Sequence, residues 1–172
     1  ASLVAVAADG AALWIDAANG EQVAKLPPGA LSAARAFAAW PGGLAVVDAK
    51  GRLGLRYRDS PATVREIATP LAVEDFAVDP GGRTLLAWSN GTLQAELVDL
   101  AFGRPVQGFA LAGPISNAVF SGDTLFAGHA GIAAVSIIDL APLSSGGEAL
   151  VRPARLDAGD PGTADGARLG MR

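Results

Sequence analysis

The chain has 172 residues, 51% of them hydrophobic and 17% charged, with a formal net charge of −4. This length suits one domain with a sizeable core, the modest charge excludes a largely disordered chain, and the acidic balance leaves no basic field for nucleic acid. The absence of cysteine excludes disulfides, thiolate metal sites, iron–sulfur ligation and covalently attached haem from this stretch, and no run of about 18 apolar residues is present to form a transmembrane helix.

Short apolar runs between turn residues predict strands throughout. In the first 29 residues, Leu3 to Ala7, Ala12 to Asp16 and Gln22 to Leu26 give three strands. Residues 30–70 give four: Arg35 to Trp40, Leu44 to Asp48, Arg52 to Arg58 and Thr63 to Ile67. Residues 71–112 give Glu74 to Val78, Thr84 to Trp88, Leu93 to Leu100 and Val106 to Leu111, with Asn90-Gly91 as a strong signal for a tight hairpin. Residues 113–156 give Ile115 to Phe120, Thr124 to Ala127, Ile132 to Leu140 and Glu148 to Leu156. The composition then shifts to the Gly- and Asp-rich run 157–166, which reads as a tail or linker over 157–172.

These segments repeat. Gly10, Gly51, Gly91 and Gly131 are separated by 41, 40 and 40 residues, and the strands beginning at Leu3, Leu44, Leu85 and Leu125 keep the same beat. A period of about 40–45 residues filled by four short strands is the signature of β-propeller blades. The expected fold is therefore all-β, a propeller of about four blades, with the first blade lacking its innermost strand.

Several motifs carry a resemblance to the bacterial WD40, YVTN and PQQ-repeat propellers. Phe76 to Ala87 resembles the hairpin joining the first two strands of a WD40 blade. Ile15-Asp16, Val98-Asp99 and Ile138-Asp139, with Arg58-Asp59 as a weaker counterpart, resemble the Trp-Asp step at the end of a third strand. Asp16 to Gly20 and Asp99 to Gly103 share an Asp-x-x-x-Gly turn similar to that of PQQ and YVTN repeats. The glycine–histidine pair that opens many WD40 blades is not at its expected place. The resemblance spans about residues 2 to 156 and implies a fold more than a function.

His129 is the only histidine, placed in Gly128-His129-Ala130-Gly131 after a second strand. Imidazole can ligate haem or move a proton, and some propellers of the haem d1 group use histidine so; the plainer reading is a turn residue. Asp16, Asp59, Asp99 and Asp139 are expected to cap turns rather than form an acidic mouth. Asp157, Asp160 and Asp165 do not match a calcium loop. Trp14, Trp40 and Trp88 are expected to pack between blades, with a rim binding role as the alternative. Arg35, Arg52, Arg56, Arg58 and Arg65 cluster in the second repeat and suggest an exposed, charge-protected face or an anion or protein contact.

No phosphate loop, nucleophile elbow or metal-binding helix motif is present. The expected function is a non-catalytic propeller scaffold or protein-interaction module, a subunit or domain of a periplasmic assembly, with no cofactor. The competing expectation is the propeller part of a quinoprotein or haem d1-like redox protein. A faint similarity of residues 159–169 to the lead-in of small c-type cytochromes adds a third. The start at Ala1-Ser2-Leu3 suggests a mature or trimmed product. Closure of the propeller is expected from a protein partner or further segment, from self-association into an eight-bladed ring, or from residues 167–172 returning as the missing strand.

Overall fold

Left-handed glycines place the hairpins. Gly10, Gly51, Gly91 and Gly131 have φ of 78°, 77°, 78° and 77°, a backbone conformation that strains any residue with a Cβ. Each sits between the second and third strand of its repeat, so the spacing read in the sequence is the spacing of one conserved backbone turn. In the computed structural model, residues 2–156 are described; the aspartates of the tail and the strand expected from residues 167–172 lie outside them.

The first sheet holds β1 (Ser2–Val6), β2 (Ala12–Asp16) and β3 (Gln22–Leu26). The second holds β4 (Ala34–Trp40), β5 (Gly43–Asp48), β6 (Leu53–Tyr57) and β7 (Arg65–Glu66). The third holds β8 (Asp75–Val78), β9 (Thr84–Trp88), β10 (Gln94–Asp99) and β11 (Arg104–Ala110), and the fourth β12 (Ile115–Ser121), β13 (Thr124–His129), β14 (Ala134–Asp139) and β15 (Leu150–Arg155). All four are antiparallel meanders whose strands neighbour one another in chain order. One short 3₁₀ turn, Ala141–Ser145, bridges β14 and β15.

The strand limits fall within two residues of those expected, and two of the differences have a local reason. β7 shrinks to two residues, Arg65–Glu66, and the Thr63 N–H at the start of the expected strand donates instead to the Ser60 carbonyl of the preceding turn at 3.0 Å. β13 runs past Ala127 to His129 because a bulge on β12 lets Ile115 pair with His129.

The sheets stack face to face as blades, and three apolar cores lie between consecutive ones. The core of blades 1 and 2 contains Trp14, that of blades 2 and 3 Trp40, and that of blades 3 and 4 Trp88. Each indole thus fills one inter-blade layer, as bulky aromatics do where two sheets must be held about 10 Å apart. The innermost strands β4, β8 and β12 lie side by side. Among the described residues no core joins blade 1 to blade 4, so the four blades form an open arc.

Candidate functional site

The ends of the arc are its most distinctive surfaces. Register pairing identifies which residues occupy the same slot in each blade. Leu3 lies opposite Ile15, Leu44 opposite Arg56, Leu85 opposite Val98 and Leu125 opposite Ile138. These four leucines all point toward the preceding blade. Leu44, Leu85 and Leu125 are each 0% exposed, whereas Leu3, against which no blade packs among the described residues, is 61% exposed. Leu13 and Ile15 share its face.

Blade 4 mirrors this at the other end. Phe126 lies in the slot of Leu86 and Ala45, which are buried against the following blade. Phe126 itself is 39% exposed, in a row with Val119, Ile137 and Arg152. The same alternation that fills the interior layers therefore leaves an apolar row at each end of the arc.

A third opening lies at the inner edge of blade 1, where β1 has no inner neighbour among the described residues. Phe37 on β4 faces this gap from across the blade 1–blade 2 boundary, opposite Val46, and is exposed. In the core between blades 1 and 2, Trp14 Nε1 is buried without a hydrogen-bond partner among the described residues.

Interior boundaries show how polar groups frame such faces. Arg83 on the first hairpin of blade 3 bonds Asp123 of blade 4 at 2.6 Å and its own Asp79 at 3.1 Å; these two carboxylates, Asp123 first, raise its pKa. Arg35 meets Glu74 at 3.3 Å across blades 2 and 3. The Tyr57 hydroxyl donates to the Leu100 carbonyl at 2.9 Å, and burial raises its pKa. Gln107 holds the Ala149 backbone through both its amide atoms, at 3.1 and 2.8 Å.

Of the residues singled out in the sequence, Asp16, Asp99 and Asp139 cap turns, each accepting the backbone N–H two residues on at 2.8–3.0 Å. Asp59 lies exposed in the turn after β6. The three tryptophans are buried in the inter-blade cores, which corrects the rim reading. The arginines do not form one exposed face: β6 is covered on both sides, and Arg56 is half-buried, with burial lowering its pKa and its guanidinium also bonding the Ala30 carbonyl at 3.3 Å. Arg52 pairs with Asp48 at 2.7 Å.

His129 is not a turn residue. It ends β13, is buried, and its Nε2 lies 2.8 Å from Ser136 Oγ on β14; Nδ1 has no hydrogen-bond partner. Among the described residues no group of three His, Cys, Asp or Glu is arranged to hold a metal ion, and no helix is long and apolar enough to cross a membrane.

No known protein family and no curated protein matches the chain. Solved structures do resemble it. The β-propeller domain of Myceliophteria thermophila Cps50 (Swd1) is 12% identical over 92% of this chain and 56% of that one, with a TM-score of 0.63. Kuenenia stuttgartiensis hydrazine synthase is 17% identical over 88% of this chain and 48% of that one, at 0.54. Dihydro-heme d1 dehydrogenase NirN in complex with DHE is 19% identical over 90% and 38%, at 0.55. At these identities the likeness establishes the fold, an all-β propeller with an incomplete first blade. The chain spans between 38% and 56% of the length of these structures.

Proposed function

We propose that this chain is a non-catalytic propeller scaffold of the WD40, YVTN and PQQ-repeat type, whose two end faces take further propeller blades from outside residues 2–156. The observation that carries this is Leu3: exposed here, and fully buried in the same slot of every other blade. The occupant is a blade rather than an unrelated surface, because the end rows continue the register that builds the interior layers. A strand entering beside β1 would cover Phe37 and pair the open edge, which otherwise presents unpaired backbone groups to chance partners. Among the described residues a second copy of the chain brings no strand for that gap, so we favour a partner segment or subunit over a self-paired ring.

A cofactor-holding role through His129 has less support, since its ring is buried and already engaged by Ser136. Sedimentation velocity of the full chain, alone and with candidate partner segments carrying the same repeat, tests the reading. The expected result is a complex that Leu3→Asp and Phe126→Asp each weaken without unfolding the chain. A stable monomer indifferent to both substitutions overturns it. So does a visible absorption band that copurifies with the protein and is lost on His129→Ala.

A further inference from the structure

One slot breaks the pattern of the blades. In the third strand of each blade the residue opposite Ala5, Val46, Ala87 and Ala127 is Leu13, Gly54, Glu96 and Ser136 respectively. Three of these are uncharged, and the one hydroxyl among them has a partner in His129. Glu96 is the exception: its side is shared with Val98 and Ala87, which belong to the core between blades 2 and 3. It is 9% exposed, and its Oε2 is buried with no hydrogen-bond partner among the described residues. No ion pair to it forms among the described residues.

A buried carboxylate oxygen without a donor is costly and calls for an explanation, a bound ion or water among them. Room for such a group is present. Glu96 lines an open pocket of about 330 Å³ beside the linker between blades 2 and 3, with Pro70, Leu71, Gln94, Gly108 and Ala110 around it. The residue opposite Glu96 on β11 is Gly108, where an added Cβ would meet no atom within 4 Å. A single carboxylate in mostly apolar walls, with Gln94 as the other polar side chain, suits neither a hard metal ion, which needs several oxygen ligands, nor an anion. It suits a cation with an apolar body.

We propose that the cavity over Glu96 binds an organic ammonium group, its charge against the Glu96 carboxylate and its alkyl stem against Pro70 and Leu71. Two sources share this chemistry, a free small amine and a lysine side chain of a partner protein. The site is separate from the end faces of the arc and does not depend on the scaffold reading.

The test is NMR titration of the full 172-residue chain with n-butylammonium, with Nα-acetyl-lysine N-methylamide, and with butyrate as the anionic control. Saturable shifts at the amides of Leu71, Glu96 and Gly108 with either amine, and none with butyrate, are expected. Glu96→Gln, which keeps the shape and removes the charge, is expected to weaken amine binding by about tenfold or more. Gly108→Leu fills the cavity while keeping the carboxylate and is expected to abolish binding, so it carries the test if the first variant does not fold. Tighter binding of the lysine derivative assigns the source to a partner's side chain, and tighter binding of butylammonium to a free amine. Failure of both amines to saturate, or binding unchanged in both variants, overturns the proposal.

Discussion

Phe37 and Phe76 occupy the same position in consecutive inner strands, opposite Val46 and Ala87, yet one is 49% exposed and the other 8%. The difference lies wholly in the preceding blade: β4 shields Phe76, whereas blade 1 offers no inner strand to shield Phe37. Phe76→Ala is therefore expected to destabilise the chain by about 3–5 kcal/mol, and Phe37→Ala by less than about 1 kcal/mol. Urea unfolding of the two variants, compared at equal m-value, checks this.

Leu125 and Leu3 give the same contrast on the blade faces. Leu125→Ala opens a cavity in the layer between blades 3 and 4 and is expected to cost about 2–5 kcal/mol, while Leu3→Ala changes stability by no more than about 0.5 kcal/mol. If a partner blade covers Leu3, the second substitution becomes costly only in the complex. Denaturation of the chain alone and of the complex separates the two cases.

Gly51 and Gly91 have nearly the same positive φ but different surroundings. A Cβ on Gly51 would lie 3.1 Å from the Val73 carbonyl oxygen, whereas Gly91 faces open space. Gly51 also accepts the Val73 N–H at 2.9 Å, which ties the linker entering blade 3 to this hairpin. Gly91→Ala is expected to cost about 1–2 kcal/mol from backbone strain, and Gly51→Ala about 1–3 kcal/mol more from the forced shift of residues 72–73. Thermal unfolding of both variants measures the gap.

The period was legible because the backbone enforces it: a left-handed glycine recurs wherever the second strand turns into the third, and strand length fixes the distance between such turns. The missing inner strand of blade 1 was legible for the same reason. Exposure was not. Leu3 and Leu44 sit in similar apolar runs, and only the presence or absence of a neighbouring sheet distinguishes them. Glu96 is harder still, since alternation along Gln94-Ala95-Glu96-Leu97 suggests a solvent face, and Gln94 is indeed exposed whereas Glu96 two residues on is covered. His129 looked like a turn residue because glycines flank it closely; the bulge on β12 that extends its strand leaves no mark in the local pattern.

Asp48 adds an acid-sensitive element to blade 2. The backbone N–H of Arg52 foremost, then the Arg52 guanidinium and the Lys50 N–H, hold its carboxyl below the ordinary value of 3.8. A carboxyl depressed in the folded state contributes stability that is present above its unfolded pKa and lost as pH falls through the folded one. Asp48→Asn is thus expected to lower Tm near neutral pH, with the difference from the unsubstituted chain shrinking below pH 3.8. Calorimetric Tm values across the acid range decide it; a difference independent of pH contradicts the assignment.

The His129–Ser136 pair tests whether the one histidine is a structural group. Its Nε2 has Ser136 Oγ at 2.8 Å, and its Nδ1 already lacks a partner, so Ser136→Ala would leave the whole ring without a hydrogen bond in a buried site. That loss is expected to cost about 1–3 kcal/mol, because a buried polar group deprived of its partner forfeits solvation without compensation. His129→Leu combined with Ser136→Ala removes both members and leaves no orphan. The double variant is therefore expected to be less destabilised than the sum of the single ones, with a coupling of about 1 kcal/mol or more. Strict additivity in urea unfolding would mean that the bond contributes nothing to the layer between blades 3 and 4.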